Sequence, residues 1–267
     1  MPLFMGIDIG SRTTKGVVLK DGEIAASHLV DSGSDYARAA GELRERLLAL
    51  AKARAEDVAY TVATGQRVSL PFVDETVDDI RCCARGMFRW LPSVRTIIDI
   101  GSQSSQVIRV SERGSVTNFV VSEKCAGGSG RFLDVIANVL RVSIEEVSRL
   151  SLESQHPVVF STGCAVFGES EAISRVAEGI SKEDIAAGVH EAVAAKVAAL
   201  VSRVGMEPGC AVSGGGGLNA GLVRKIEEKL GVRLLVPPQP QLVSALGAAI
   251  MAAEKARAGG PANPARR

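Results

Sequence analysis

The sequence predicts an α/β fold with two related subdomains, and a repeated segment is the main reason. Asp8-Ile9-Gly10-Ser11 returns 91 residues later as Asp99-Ile100-Gly101-Ser102. Each copy follows an apolar run, continues into small polar residues and then returns to an apolar stretch. This is the pattern of a strand, a tight polar turn and a second strand. The second reason is that helical hydrophobic patterns follow the strands of both copies.

The elements that follow the first copy each have a local signal. Asp21-Gly22 predicts a hairpin between two strands. Apolar residues at helical spacing predict a helix from Asp35 to Arg54, and an apolar run predicts a strand from Val58 to Thr64. Gly65 ends this strand, and a second helix is expected from Thr76 to Phe88.

The second copy begins in the same way and is followed by more helices. Arg113-Gly114 predicts a hairpin turn like the first, and Val116 to Val121 a strand. Ser143 with Glu146 has the spacing of a capping box, and Ser181 starts a long helix. The other expected elements are helices over residues 131–140, from the 160–164 loop to 178, 222–230 and 244–256, and strands over 210–212 and 233–236.

The order of these elements predicts the domain organisation. Residues 1–92 form the first subdomain, and residues 93–243 form the second, which carries the cysteine and glycine loops. The helix over 244–256 is expected to pack back on the first subdomain. Residues 257–267 are rich in Gly, Pro, Ala and Arg and are expected to be a flexible tail.

Composition excludes several classes of protein. The 267 residues are 46% hydrophobic and carry a net charge of +1, and the basic residues are scattered, so nothing favours nucleic acid or a membrane surface. No stretch of the sequence reaches eighteen apolar residues, so no membrane-spanning helix is expected. The first residues run directly into the first strand without a signal peptide, which predicts a cytoplasmic protein. The five cysteines are therefore expected as reduced thiols or metal ligands.

The two polar turns and a later glycine run suit a phosphate ligand. Gly, Ser and Thr offer backbone N–H groups and hydroxyls without bulk, and an Asp at a strand end can hold a cation. The run of residues 214–217 after a strand lets the backbone approach a flat ligand closely. A flexible linker is the alternative for this run. The chain lacks a P-loop motif, and no Gly-x-Gly-x-x-Gly follows the first strand.

Together these three segments resemble the superfamily of actin, sugar kinases and heat-shock ATPases. The resemblance implies duplicated ribonuclease-H-like subdomains with a nucleotide cleft between them. It implies that Asp8, Asp99 and Gln103 are catalytic and hold Mg²⁺ and the attacking water. It implies ATP or ADP binding by Gly10, Ser11, Thr13, Thr14, Lys15, Gly101, Gly128, Gly130, Gly214, Gly215, Gly216 and Gly217.

Two cysteines begin loops that lead into helices. Cys125 and Cys164 would gain thiolate character from the free N–H groups of a helix start, which suits an iron–sulfur cluster. The alternative is that both are buried, small hydrophobic residues. A cubane cluster takes four thiolates, so a twofold dimer would supply the missing pair. The other cysteines, Cys82, Cys83 and Cys210, are expected to be packing residues.

Segments around these cysteines carry a more specific resemblance. Residues 124–133 (KCAGGSGRFL), 164–171 (CAVFGESE) and 5–11 (MGIDIGS) resemble ATP-dependent activators of 2-hydroxyacyl-CoA dehydratases and ATPase subunits of benzoyl-CoA reductase. The family implies a homodimer that bridges one 4Fe-4S cluster through two cysteines per subunit, here Cys125 and Cys164. It implies that ATP drives one electron into a dehydratase or reductase component, with ferredoxin or flavodoxin as the electron source.

The chain departs from this family in the second turn. Ser104 stands where the family usually has Asp, and Gln106 stands where lysine is common. The missing carboxylate bears on metal and water positioning, and therefore on the rate of hydrolysis. Three alternatives remain open at this point: a permanent ATPase subunit of a benzoyl-CoA reductase-like complex, a small-molecule kinase such as an amino-sugar kinase, and a nucleotide-binding module without hydrolysis.

Overall fold

The fold was analysed in a computed structural model, which describes residues 2–122, 128–161 and 164–259. The chain divides into two compact units. The first comprises Met1–Val94, Val110–Val116 and Gln241–Arg267, and the second comprises Arg95–Arg109 and Thr117–Pro240. The short segment Val110–Val116 thus belongs to the first unit, although its flanking strands belong to the sheet of the second.

The first unit is built on a five-stranded sheet. Its elements are β1 (Leu3–Ile9), β2 (Thr13–Lys20), β3 (Glu23–Asp31), α1 (Tyr36–Ala51), β4 (Val58–Gly65), β5 (Glu75–Thr76), α2 (Asp79–Trp90) and the last helix of the chain, α8 (Val243–Arg257). The strand order is β3-β2-β1-β4-β5. Strands β1 and β2 are antiparallel, whereas β1 and β4 are parallel.

Local signals account for the ends of these elements. Asp21 and Gly22 both have left-handed backbone angles, φ 54° and 85°, so the predicted hairpin between β2 and β3 is confirmed. Asp35 accepts a hydrogen bond from the Arg38 N–H and caps α1. Asp78 caps α2 in the same way, so this helix starts three residues later than the sequence predicts (79 minus 76).

Helix α8 packs so closely on α2 and β1 that the backbones of the elements are in contact. A Cβ atom at Gly247 would lie 1.7 Å from the Cys82 carbonyl oxygen, and one at Gly86 would lie 1.9 Å from the Val243 carbonyl oxygen. On the other side, a Cβ at Gly6 of β1 would lie 2.1 Å from the Ala245 carbonyl oxygen. Glycine is therefore required at these crossings, because no side chain fits between the elements.

The second unit is built on a four-stranded sheet. Its elements are β6 (Thr96–Ile100), β7 (Ser105–Val110), β8 (Val116–Val121), α3 (Gly130–Leu140), α4 (Ile144–Glu153), α5 (Ala165–Ala177), α6 (Lys182–Val204), β9 (Cys210–Ser213) and α7 (Ala220–Leu230). The strand order is β8-β7-β6-β9. Strands β6 and β7 are antiparallel and β6 and β9 are parallel, which repeats the pairing of β1 with β2 and β4.

Helix α6 is the centre of the core in this unit. Its buried residues pack with those of α3, α4 and the sheet in one cluster that includes Phe132, Ile136, Val193 and Val197. Among the described helices, α6 has the length and composition that could span a membrane, but 61% of its apolar window is buried inside the protein. Such burial is typical of a core helix.

One sequence prediction in this unit is wrong. Residues 233–236 do not form a strand, because only Leu235 makes an isolated parallel bridge, to Ala211. The predicted caps are confirmed, since the Ser143 hydroxyl accepts from the Glu146 N–H and the Ser181 hydroxyl accepts from the Asp184 N–H.

Candidate functional site

Turn one, defined as residues 10–13, joins β1 to β2 and is closed by a hydrogen bond. The Gly10 N–H donates to the Thr13 carbonyl oxygen at 3.1 Å. A Cβ atom at Gly10 would lie 2.7 Å from that oxygen and 2.8 Å from the Lys15 Nζ. Glycine therefore keeps open the space that the lysine ammonium group occupies. The predicted residues Ser11 and Thr13 are half-buried in this turn.

The carboxylate before turn one is paired with the lysine after it. Asp8 and Lys15 are partners in the antiparallel register, and Lys15 Nζ lies 3.2 Å from an Asp8 carboxylate oxygen. Their side chains are only 15% and 14% exposed. The pair sets one positive and one negative charge beside the glycine turn, an arrangement that suits a phosphate with its cation.

Thr14 supports turn one from inside. Its side chain is fully buried, and its hydroxyl lies 2.8 Å from the hydroxyl of Ser32. Ser32 Oγ donates to the Gly10 carbonyl oxygen at 2.7 Å, and the Ser32 N–H donates to the Arg12 carbonyl oxygen. The Thr14 hydroxyl therefore holds the turn through Ser32. The sequence offered no motif that singles out Ser32.

Turn two, defined as residues 101–104, repeats this geometry between β6 and β7. The Gly101 N–H donates to the Ser104 carbonyl oxygen at 2.9 Å. Asp99 and Gln106 occupy the register positions of Asp8 and Lys15, and Gln106 Nε2 donates to an Asp99 carboxylate oxygen at 3.1 Å. Gln103 and Ser104 are exposed at the tip of the turn.

A glycine stands where the parallel strand beside each Asp ends, a repeat that the sequence alone did not reveal. Gly65 is the last residue of β4 and has φ 86°, and Gly214 directly follows β9 and has φ 74°. A Cβ at either glycine would lie 2.4 Å from a carbonyl oxygen of β1 or β6 and 3.0 Å from the neighbouring Asp carboxylate. Ser213 Oγ donates to the Asp99 carboxylate at 2.7 Å. Positive φ at both glycines was the missing signal, and sequence does not display it.

The predicted glycine loop, residues 214–217, lies against the end of β6, which leads into turn two. It passes into a short 3-10 helix, Gly215–Leu218, and a Cβ at Gly216 would lie 2.5 Å from the Ile100 side chain. Gly215 is exposed, whereas Gly216 and Gly217 are buried. The loop leads to Asn219, which caps α7 and lies 2.9 Å from the buried His190 Nε2. The run is thus a structured turn between β9 and α7.

Turn two is hydrogen-bonded to the start of α3. The Gly130 N–H donates to the Gly101 carbonyl oxygen, and the Arg131 N–H donates to the Ser102 carbonyl oxygen, both at 2.9 Å. Ser129 Oγ also donates to Ser102, at 3.1 Å. The buried hydroxyl of Ser105, directly after the turn, donates to the Gly128 carbonyl oxygen at 2.5 Å. Residues 128–131, which begin three residues after Cys125 in the chain, are therefore anchored on turn two and Ser105.

Cys164 has the environment expected of a reactive thiol. It precedes α5 as the N-cap residue and is partly exposed. Hydrogen bonds from the Phe167 and Val166 N–H groups lower the pKa of the Cys164 thiol, and the Lys196 charge adds to this effect. Cys125, the second predicted ligand, lies outside the described residues. Within the described ranges no three His, Cys, Asp or Glu side chains are grouped for a metal.

The remaining described cysteines are buried. Burial raises the pKa of Cys82 to about 12 and also raises the pKa of Cys210. Cys83 is likewise buried in α2. This agrees with the prediction that these three cysteines are packing residues.

Comparison with known proteins identifies the family. The model of the BadF/BadG/BcrA/BcrD ATPase family matches residues 5–252. The chain belongs to this ATPase family. One relative is the (R)-2-hydroxyglutaryl-CoA dehydratase activating ATPase of Acidaminococcus fermentans. It is 43% identical to this chain, and the match covers 94% of this chain and 97% of the relative. The 2-hydroxyisocaproyl-CoA dehydratase activator of Clostridioides difficile is 40% identical over 95% and 96%.

Solved structures agree with this membership. The C. difficile activator with bound ADPNP superposes with a TM-score of 0.91 at 38% identity, covering 96% of both chains. A ROK-family glucokinase from Streptomyces griseus, at 15% identity and a TM-score of 0.57, covers 94% of this chain and 99% of its own and shows the fold alone. The fold is therefore the actin-like ATPase fold, as predicted.

Proposed function

We propose that this protein is an ATP-dependent activator that donates single electrons to a 2-hydroxyacyl-CoA dehydratase or a related acyl-CoA reductase. Membership in an ATPase family and similarity to two dehydratase activators support the general role. The observation that supports the finer proposal is the hydrogen-bonded link between turn two and residues 128–131, because these residues begin only three positions after Cys125 in the chain.

Each repeated turn has its own part in nucleotide chemistry. Gly10, Ser11, Thr13 and Lys15 bind phosphate oxygens, and Thr14 keeps the turn in shape through Ser32. Asp8, Asp99 and Gln103 hold Mg²⁺ and the attacking water. Gly101 keeps turn two open, and residues 214–217 lie against the adenosine. Carboxylates and a lysine beside glycine turns are the groups that such a magnesium nucleotide needs.

Cys164 and Cys125 are the residues that would hold a 4Fe-4S cluster. Cys164 fits thiolate ligation, since two backbone N–H groups point to its sulfur and its pKa is lowered. Such a cluster supplies one-electron chemistry at low potential. A single chain contributes two ligands, so the complete set of four requires a homodimer. Gly128 and Gly130 belong with the proposed nucleotide-binding residues, since Gly130 donates to turn two and Gly128 accepts from Ser105 directly after it.

The start of α5 offers a surface for this homodimer. Val166, Phe167 and Ile173 expose 71%, 67% and 55% of their surface close to Cys164 in the chain. Large apolar side chains exposed together are typical of a protein interface. A second copy that covers this surface would also exclude water from the thiolates.

Nucleotide and thiolate regions are coupled through the chain itself. A change in turn two and Ser105 on hydrolysis of ATP to ADP and phosphate must strain or release four hydrogen bonds to residues 128–131. The start of α3, which follows Cys125 closely in the chain, then shifts. In each cycle the protein takes one electron from a ferredoxin or flavodoxin and gives one to its acceptor, so electrons balance.

Anaerobic purification of the wild-type dimer and of Cys164→Ser tests the proposal. The wild type should be brown, contain iron and sulfide, and hydrolyse ATP. The Cys164→Ser variant should lose iron and electron transfer but still bind nucleotide. Cys210→Ser is the matched control, because Cys210 is buried in β9 and should leave the cluster intact. Iron-free wild type after reconstitution, or a Cys164→Ser variant with full iron, contradicts the proposal.

A permanent subunit is the second candidate. One of the benzoyl-CoA reductase subunits of Thauera aromatica is 33% identical, and the match covers 95% of this chain and 94% of that subunit. Affinity purification at low protein concentration distinguishes the two roles. A fixed subunit copurifies with reductase subunits in constant ratio, whereas a transient activator is recovered alone.

A further inference from the structure

We propose that Ser213 and Gln106 are positioning residues that fix the two oxygens of the Asp99 carboxylate. This inference rests on the proposed function, because it concerns a carboxylate assigned there to Mg²⁺ and the attacking water. Neither residue lies in turn two or in the glycine loop, residues 214–217. Gln106 lies in β7 and Ser213 ends β9, and these two strands flank β6, which carries Asp99.

Each oxygen of the Asp99 carboxylate accepts a hydrogen bond from a different strand. Ser213 Oγ donates to Oδ1 at 2.7 Å, and Gln106 Nε2 donates to Oδ2 at 3.1 Å. The two donors come from opposite sides, because the register pairs Asp99 with Ser213 in β9 and with Gln106 in β7. A carboxylate held on both oxygens cannot rotate about its Cβ–Cγ bond without breaking a charge-assisted hydrogen bond.

The two donors are buried, whereas the carboxylate that they hold is partly exposed. Ser213 is completely buried and Gln106 is 4% exposed, so a broken bond would leave a buried donor without its partner. Asp99 is only half-buried. Gly214 allows the close approach, since a Cβ there would lie 3.0 Å from Asp99 Oδ1 and 2.4 Å from the Ile100 carbonyl oxygen. The protein interior thus orients a carboxylate that a ligand can reach.

The first copy of the repeat lacks this arrangement. Thr64 occupies beside Asp8 the register position that Ser213 occupies beside Asp99. The Thr64 hydroxyl is buried but makes no hydrogen bond to Asp8, which instead pairs with the charged Lys15. Ser213 and Gln106 are uncharged, so they orient Asp99 without neutralising it. Such donors suit a carboxylate that binds a divalent cation, because ligating carboxylates are held by hydrogen bonds from behind.

Binding of Mn²⁺ to the full-length protein with ADP, followed by electron paramagnetic resonance of the free ion, measures this role without hydrolysis. Ser213→Ala and Gln106→Met should each raise the apparent Kd for Mn²⁺ about tenfold, a usual cost of losing a partner of a metal ligand. Ser213→Thr should restore the wild-type value, because it keeps the hydroxyl. The affinity for ADP in EDTA should stay the same in all variants.

Thr64→Val is the matched control for these substitutions. It removes a buried hydroxyl from the equivalent position of the repeat, where that hydroxyl does not bond the neighbouring Asp8. Its Kd for Mn²⁺ should match the wild type. If Ser213→Ala does not fold, Gln106→Met decides the same question, because it removes the donor to the other oxygen of Asp99.

Asp99→Asn separates this inference from the proposed function. If the wild type binds no Mn²⁺ with ADP, or Asp99→Asn binds it equally well, the metal role of Asp99 and the inference both fail. If Asp99→Asn loses Mn²⁺ while Ser213→Ala and Gln106→Met bind it as the wild type does, only the positioning role fails. An equal loss in Thr64→Val, or a loss of ADP affinity in EDTA as large as that with Mn²⁺, indicates an effect on packing and also overturns the positioning role.

Discussion

Replacing Gly247 with alanine should destabilise the first unit strongly. The new Cβ would lie 1.7 Å from the Cys82 carbonyl oxygen, whereas ordinary contact begins at 3.4 Å, so α8 and α2 must separate by up to 1.7 Å (3.4 minus 1.7). Both clashing groups are backbone, which cannot rotate away. Overpacking of this kind costs about 3 kcal/mol. Alanine is the better helix former by about 1 kcal/mol, so the net loss is about 2 kcal/mol.

Gly41→Ala is the matched control for this substitution. Gly41 lies inside α1 of the same unit, and a Cβ there would have no atom within 4 Å. This variant should gain about 1 kcal/mol from helix propensity alone. The two variants make the same chemical change, so their difference of about 3 kcal/mol reports the helix crossing.

Urea unfolding followed by tryptophan fluorescence measures both variants. Trp90 is the single tryptophan of the chain and ends α2, where it packs on the cluster that contains α8. With an m value of about 2 kcal/mol/M, the two midpoints should differ by about 1.5 M. A Gly247→Ala midpoint equal to or above that of Gly41→Ala would refute the argument that backbone contact fixes this crossing.

Three further predictions concern the second unit and the cysteines. In metal-free protein near neutral pH, iodoacetamide should modify Cys164 before Cys82 and Cys210, because the pKa of Cys164 is lowered whereas those of the other two are raised. Peptide mass spectrometry that finds Cys82 labelled as early as Cys164 contradicts this. Burial lowers the pKa of His190 below its usual 6.5, so its contribution to stability is present above pH 6.5 and is lost as pH falls towards the folded-state value. His190→Gln should flatten the loss of melting temperature between pH 7 and 5, and parallel curves for the two proteins would disprove it. Ser104→Asp should raise the rate of ATP hydrolysis about tenfold, which corresponds to a barrier lower by about 1.4 kcal/mol. Ser202→Asp, at an exposed position of the core helix α6, should leave the rate unchanged. Equal phosphate release in both variants argues against a metal-positioning role for residue 104.

Local patterns predicted the parts of the fold that local chemistry decides. Asp21-Gly22 needs two left-handed residues, and the sequence shows both. Ser143 and Ser181 could be predicted as helix caps because the cap bonds reach only three residues along the chain. Residues 233–236 had the composition of a strand, but Leu235 bridges a single residue, so tertiary context overrode propensity there.

The rest of the site depends on long-range contacts that no pattern displays. Gly65 and Gly214 are equivalent only because β4 and β9 lie parallel to β1 and β6. Ser32 reaches turn one across 22 residues, from Ser32 to Gly10. The local sequence around each of these residues carries no pattern that marks its role. The role became apparent only when the strands were seen side by side in the sheet.

The bonds between turn two and residues 128–131 also define a unit of local unfolding. The amide protons of Gly130 and Arg131 are donated to turn two, so they exchange with solvent only when the start of α3 separates from Gly101 and Ser102. Opening at this point frees turn two and residues 128–131, which follow Cys125 in the chain, in one event. The rate of deuterium uptake at the Gly130 and Arg131 amides therefore measures how often turn two and the start of α3 separate. This measurement needs no iron and no acceptor protein.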